Sequence, residues 1–286
     1  MAAAGQRRRG GQHALVVQRI ERLAPHLIRV HLGGPGFATF MAAAHPDRLA
    51  ATDTYVKILF ARPGSGLTPP YDLAALREVL EPEDLPVQRT YTIRAADPER
   101  ETLTVDFVVH GTDGVAGPWA VAARPGDVVS ISDPGGQYAP SDDPAVEHLF
   151  AGDATALPAI AAALESLTPD ATGHVFVEVH DAHDEIALPA PAGVAVRWLH
   201  QTSVAGTGLA PGELLTAVVC GLPRPAGPVQ VFAHGERAAM KAIGRFLTGV
   251  WGLDRRELSL SAYWALGRAE DRFQAEKREP VGQILD

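Results

Sequence analysis

The 286-residue chain is predicted to join an antiparallel six-stranded β-barrel to a parallel α/β sheet. Two observations carry this. From residue 13 to about residue 138, some six short β-rich runs follow one another, set apart by Gly, Pro and Asp clusters rather than helices. After about Asp142 strands alternate with helices, the pattern of a parallel, doubly wound sheet. The polar, proline-containing link SDDPAVE (141–147) marks the change, so one unit is expected over 13–141 and a second over 145–286.

In the first unit the strands are ALVVQRIERL (14–23), HLIRVHLGG (26–34), TYVKILFA (54–61), RTYTIRAAD (89–97), ETLTVDFVVH (101–110) and DVVSISDPGG (127–136). Period-two alternation is clear at Leu103, Val105, Phe107 and Val109, which share one face of a strand. The acidic, proline-rich stretch 69–86 reads as a long loop with a short helix. In the second unit HLFAGD (148–153) is a strand ending in a turn and LPAIAAALESL (157–167) a helix with an apolar face. Strands HVFVEVH (174–180) and VAVRWLH (194–200) follow, then a helix over 212–220, strand VQVFAHG (229–235), a helix over 236–250 and a last strand LSLSAYW (258–264).

Composition excludes several functions. Twenty-five basic against 34 acidic residues give a net charge of −9, which argues against general nucleic-acid binding. A single cysteine, Cys220, rules out an intrachain disulfide framework, a cysteine-ligated zinc site and an iron–sulfur cluster. No apolar run reaches the roughly 18–20 residues of a membrane helix. Arg7, Arg8 and Arg9 have no apolar stretch behind them and read as a solvated tail, not a secretory signal. A cytoplasmic monomer without a membrane partner is expected.

Two stretches carry chemistry. In Arg89-Thr90-Tyr91-Thr92-Ile93-Arg94, one strand face presents Arg89 and Tyr91 and the other Thr90, Thr92 and Arg94. An arginine for phosphate beside an aromatic and a hydroxyl suits a planar-ring cofactor, and the run reads equally as a plain barrel strand with solvated arginines. The segment from His110 to Ala120 holds Gly111, Gly114 and Gly117 before Pro118 and Trp119. Glycines let backbone approach an anion, and the same residues suit a hairpin loop. GTGLAPG (206–212) lacks dinucleotide-fingerprint spacing, and His180-Asp181-Ala182-His183 reads as a solvated turn, not a metal site.

RTYTIR, DFVVHG with GPWA, LFAGDATALPAI, VFAHGERAAMKAIGRFL and SAYWALG, in this order, resemble siderophore-interacting proteins. These are flavin-dependent ferric-siderophore reductases of the ferredoxin-reductase-like superfamily, and the resemblance runs from about Ala14 to about Arg268. It implies an FAD-binding barrel and an NAD(P)H-binding sheet. Arg89, Thr90, Tyr91 and Thr92 would bind FAD, with Tyr91 against the isoalloxazine, and 110–120 would hold the ribityl-pyrophosphate side. Gly152, Asp153, Thr155 and Ala156 would line the nicotinamide pocket, although Thr155 suits a plain helix N-cap as well. Gly235 and Glu236 match a family Ala-Gly-Glu motif in which His234 stands in place of alanine.

Lys57, in an early barrel strand where the family often has lysine, would attract an anionic iron chelate, or else is a solvated strand lysine. The family often places an arginine directly after the Tyr-Trp pair. Here Ala265 and Leu266 follow Tyr263 and Trp264, with Arg268 beyond as the candidate anchor. The implied activity takes electrons from NADPH or NADH through FAD to a ferric siderophore, releasing Fe(II), which hard oxygen donors hold less strongly. A general flavin or quinone reductase and a siderophore-binding module without turnover are the alternatives. Arg197, Arg237 and Lys241 are candidate partners for a 2′-phosphate, or ordinary surface charges.

Overall fold

A computed structural model describes residues 11–109, 111 and 114–285. Six strands, β1 (Gln12–Ala24), β2 (Leu27–Gly33), β3 (Tyr55–Phe60), β4 (Val87–Asp97), β5 (Thr102–Val108) and β6 (Val128–Ser132), close an antiparallel barrel in the order β1-β2-β5-β4-β3-β6. Closure pairs every strand on both sides and leaves no edge. The alternating face Leu103, Val105, Phe107 and Val109 lies in its core, with Leu15, Val17, Val30, Leu32, Val56, Ile58, Val129 and Ile131. On the outside, Arg29 of β2 grips Asp106, its register partner on β5, through two hydrogen bonds of 2.7 Å.

The barrel half is not free of helices, as the run of strands suggested. Between β2 and β3 lie α1 (Gly36–Ala43) and α2 (Pro46–Ala50). Phe37 and Phe40 of α1, three residues apart on one helical face, are buried in the barrel core, which explains a helix in an otherwise β-rich half. The loop over 69–86 carries α3 (Leu73–Val79), capped by Asp72, and α4 (Ala116–Ala122) lies between β5 and β6.

The second half contains β7 (Glu147–Asp153), α5 (Leu157–Ser166), β8 (Thr172–Val179), β9 (Gly193–His200), α6 (Glu213–Cys220), β10 (Val229–Glu236), α7 (Arg237–Gly249), β11 (Leu258–Trp264) and α8 (Glu270–Glu276). All five strands are parallel, in the order β11-β10-β7-β8-β9. The order reverses between β7 and β10, and open α/β sheets bind ligands at the carboxyl ends of the strands at such a point. The two halves share a core: Ala24 and Leu27 of the first hairpin pack with α5 and β8 residues such as Leu157 and Val179. Arg94 of β4 ion-pairs with Glu165 of α5, and His26 contacts Asp184 through both its backbone N–H and its ring Nδ1. Among the described residues no helix is long and apolar enough to cross a membrane.

Candidate functional site

The carboxyl ends of β7 and β10 are adjacent, with Gly152 paired to His234. Asp153 ends β7 as a buried carboxylate. Its Oδ1 accepts from the Thr155 amide (2.9 Å) and hydroxyl (2.5 Å), and its Oδ2 accepts from the indole Nε1–H of Trp264 (2.7 Å). Burial pushes the Asp153 carboxyl up, and the Thr155 and Trp264 donors oppose this. The Thr155 hydroxyl therefore does not cap α5: Ala156 is the N-cap residue and makes no side-chain cap bond. The hydroxyl instead donates to Asp153.

Gly235 adopts φ +154°, and a Cβ there would stand 2.6 Å from Asp153 Oδ2. Glycine lets the end of β10 close on the carboxylate. Glu236 caps α7, its Oε2 accepting from the backbone of Ala238 and Ala239, while its Oε1 accepts from the Leu266 amide at 3.1 Å. Both oxygens serve the protein's own backbone, so Glu236 shapes the crevice wall.

The register slips beside Gly235. Gly235 pairs with Ala262 and Glu236 with Trp264, leaving Tyr263 as an extra residue on β11. Such a bulge re-aims neighbouring side chains. Trp264 reaches Asp153, while Tyr263 lies edge-on to His234 at 5.0 Å and beside the Thr92 hydroxyl of the barrel. Burial raises the Tyr263 phenol. The His234 ring stacks on Phe232 at 3.8 Å, and its Nε2 lies 3.0 Å from the Ser259 hydroxyl. Its buried Nδ1 has no hydrogen-bond partner, and burial lowers its pKa to about 3.

On the barrel side β4 presents the two faces its alternation predicts. Thr92 is buried toward the crevice, and Thr90 is exposed opposite Lys57 of β3. The Tyr91 ring packs against Phe107 (4.3 Å), and Trp119 packs against Phe107 (5.5 Å) and Phe60 (5.3 Å). Tyr91 and Trp119 pack, partly buried, against the barrel core, and burial raises the Tyr91 phenol, with Glu270 adding to the effect. Gly111 and Gly114 hold φ of +60° and +80° with open space where a Cβ would project, so a ligand can approach their backbone amides closely. Gly117 and Pro118 lie within α4, and His110 lies outside the described residues.

Two anchors predicted for substrate part company. Lys57 is exposed and makes no ion pair among the described residues. Arg268 is committed to Glu276 at 3.1 Å, which also holds Arg237 (2.6 Å) and Arg272 (2.9 Å). These guanidiniums, Arg237 foremost, hold the Glu276 carboxyl at about 2. Lys277 follows, with its ammonium 4.7 Å over the Phe273 ring and near enough to Lys57 to feel its charge. Sequence reasoning missed α8 and Glu276, and gave Trp264 no role of its own. The Glu270–Arg272–Glu276 spacing hints at a helix, but its partners lie elsewhere in the chain. The His180–His183 stretch forms an exposed turn, and no metal-binding group of three or more residues is present among the described residues.

A closed antiparallel barrel facing the switch point of a parallel sheet is the ferredoxin-reductase-like architecture. The chain shares it with the ferredoxin reductase in carbazole 1,9a-dioxygenase (TM-score 0.59, 14% identity, covering 89% of this chain and 70% of that one). Residues 16–138 match the siderophore-interacting FAD-binding domain and residues 145–267 the siderophore-interacting protein family. The chain belongs to the siderophore-interacting protein family. It is 30% identical to the ferric vibriobactin reductase ViuB of Vibrio cholerae over 264 residues, 91% of each chain. The crystal structure of the siderophore-interacting protein SipS from Aeromonas hydrophila matches at TM-score 0.77 and 29% identity, covering 96% of this chain and 99% of that one.

Proposed function

We propose that the chain is a flavin-dependent oxidoreductase that passes electrons from NADPH or NADH through FAD to a ferric siderophore. One observation carries this reading: Thr92, in the barrel run suited to a flavin, lies beside Tyr263 of β11, which packs on His234 of the switch-point strand β10. A ring on the Thr92 side of the barrel and a nucleotide seated on β7 and β10 would then meet, as hydride transfer requires.

The residues fit FAD. Arg89 offers a guanidinium to phosphate, Gly111 and Gly114 offer backbone amides, and Thr92 offers a hydroxyl toward the crevice. Bound FAD would accept an electron pair and release single electrons, the conversion that nicotinamide-driven reduction of Fe(III) requires. The protein's own tasks are positional. Gly152 and Gly235 let β7 and β10 close, Asp153 fixes Trp264 and Thr155, and Glu236 pins the loop after β11 through Leu266. Lys57 is the exposed cation for an anionic chelate. Because Arg268 is engaged by Glu276, a second reading keeps a quinone or free flavin as the acceptor.

The test is an absorbance spectrum of the purified protein supplied with FAD. It is followed by anaerobic addition of NADH or NADPH, then of ferric chelates, quinone or free flavin. Flavin bands that bleach with a nicotinamide and return with ferric chelates are expected. A protein that takes up no FAD removes the reading, and return with quinone alone selects the second one. Arg89→Gln should weaken FAD binding about tenfold, about 1.4 kcal/mol, in a fluorescence titration of the apoprotein.

A further inference from the structure

We propose that Asp271 is an internal anion that competes with the flavin's phosphate for Arg89, so that α8 sets the affinity and salt dependence of FAD binding. This rests on the reading of Arg89 given above.

Arg89 Nη1 lies 3.0 Å from Asp271 Oδ1, across 182 residues of chain. The two ends of the contact differ in environment: the arginine side chain is 17% exposed and the aspartate 73%. A largely buried guanidinium needs an anionic partner, whereas an exposed carboxylate returns to water at little cost. The preceding residue, Glu270, is close enough to Tyr91 to disfavour its ionised form, so the first turn of α8 puts two carboxylates at the flavin strand.

The far end of α8 is anchored. Phe273 is buried, and the Glu276 side chain, 2% exposed, holds Arg237, Arg268 and Arg272. Arg237 is the first residue of α7, directly after the switch-point strand β10. The helix is thus a strap from the crevice to the flavin arginine, fixed at Glu276 and releasable at Asp271. The FAD pyrophosphate carries two negative charges against the carboxylate's one and can take a guanidinium through two bonds, so it displaces Asp271 while Glu276 holds the strap in place. Exchanging one anion for another leaves the number of ion pairs at Arg89 unchanged. Removing the Asp271 charge leaves Arg89 open, and binding then gains both affinity and salt sensitivity.

The test titrates apoprotein with FAD at low and high salt. Asp271→Asn is expected to tighten binding about fivefold at low salt, with the gain shrinking as salt rises. Asp271→Glu, which keeps the anion, should stay near wild type, and Asp254→Asn, an exposed change distant in sequence, should have no effect. In an Arg89→Gln background the Asp271→Asn gain should vanish. Equal or weaker binding by Asp271→Asn, or a gain that survives without Arg89, overturns the strap. If Arg89→Gln still weakens binding in that case, the flavin reading stands. If Arg89→Gln leaves FAD binding unchanged, both fail.

Discussion

Gly235→Ala is expected to lower the stability of the chain by about 3 kcal/mol in urea unfolding, and to weaken nicotinamide nucleotide binding with it. The new Cβ would stand 2.6 Å from Asp153 Oδ2 and 3.0 Å from its Cγ, on a backbone at φ +154°. Asp153 is buried and has nowhere to retreat. Displacing it strains the bonds from Trp264 and Thr155 and leaves a buried carboxylate under-satisfied. Gly249→Ala, at the end of α7 with open space around it and no positive φ, is the matched control and should be close to neutral. Wild-type stability in Gly235→Ala would show that the closure of β10 on Asp153 is dispensable.

The second large effect is on acid stability. Burial holds His234 at a pKa of about 3 in the folded chain, the Ser259 contact opposes this, and Lys277 adds to it. In the unfolded chain the imidazole titrates near its ordinary value of about 6.5. As pH falls below that value the unfolded chain takes up a proton that the folded chain refuses, so stability is lost between about 6.5 and 3 and is constant above. From about pH 7 to about pH 5 this one group should cost about 2 kcal/mol. His234→Phe keeps the stack on Phe232 and gives up the Ser259 contact, so it should lose about 1 kcal/mol at neutral pH. Its further loss on acidification should be smaller than wild type's by about 2 kcal/mol. Urea midpoints at the two pH values measure the difference, and parallel losses in the two proteins would contradict a neutral buried His234.

Elements were legible where a side-chain period repeats along the chain. Leu103, Val105 and Phe107 announce a half-buried strand, and the α5 and α7 stretches a helix, because burial of one face acts on neighbours in sequence. The buried pair Phe37 and Phe40 is too short a signal to separate a helix from a strand, so α1 was legible only in the structure. The candidate site follows the same division. Arg89 and Thr92 stand in a readable motif within β4, and Asp153 and Gly235 in readable motifs at the ends of β7 and β10, where the crossover topology brings the two strands together.

The order of residues alone determined the barrel, the alternating half and the family, since hydrophobic period, turn residues and motif order are local or sequential properties. Only the tertiary structure decided what each polar group holds. Asp153 accepts from Trp264 across 111 residues, Arg89 is held by Asp271 across 182, and Arg268 and Arg237 meet on Glu276. The physical reason is that a charge or hydrogen bond is settled by distance and burial in space, and chain spacing carries no record of either once the intervening residues have folded back.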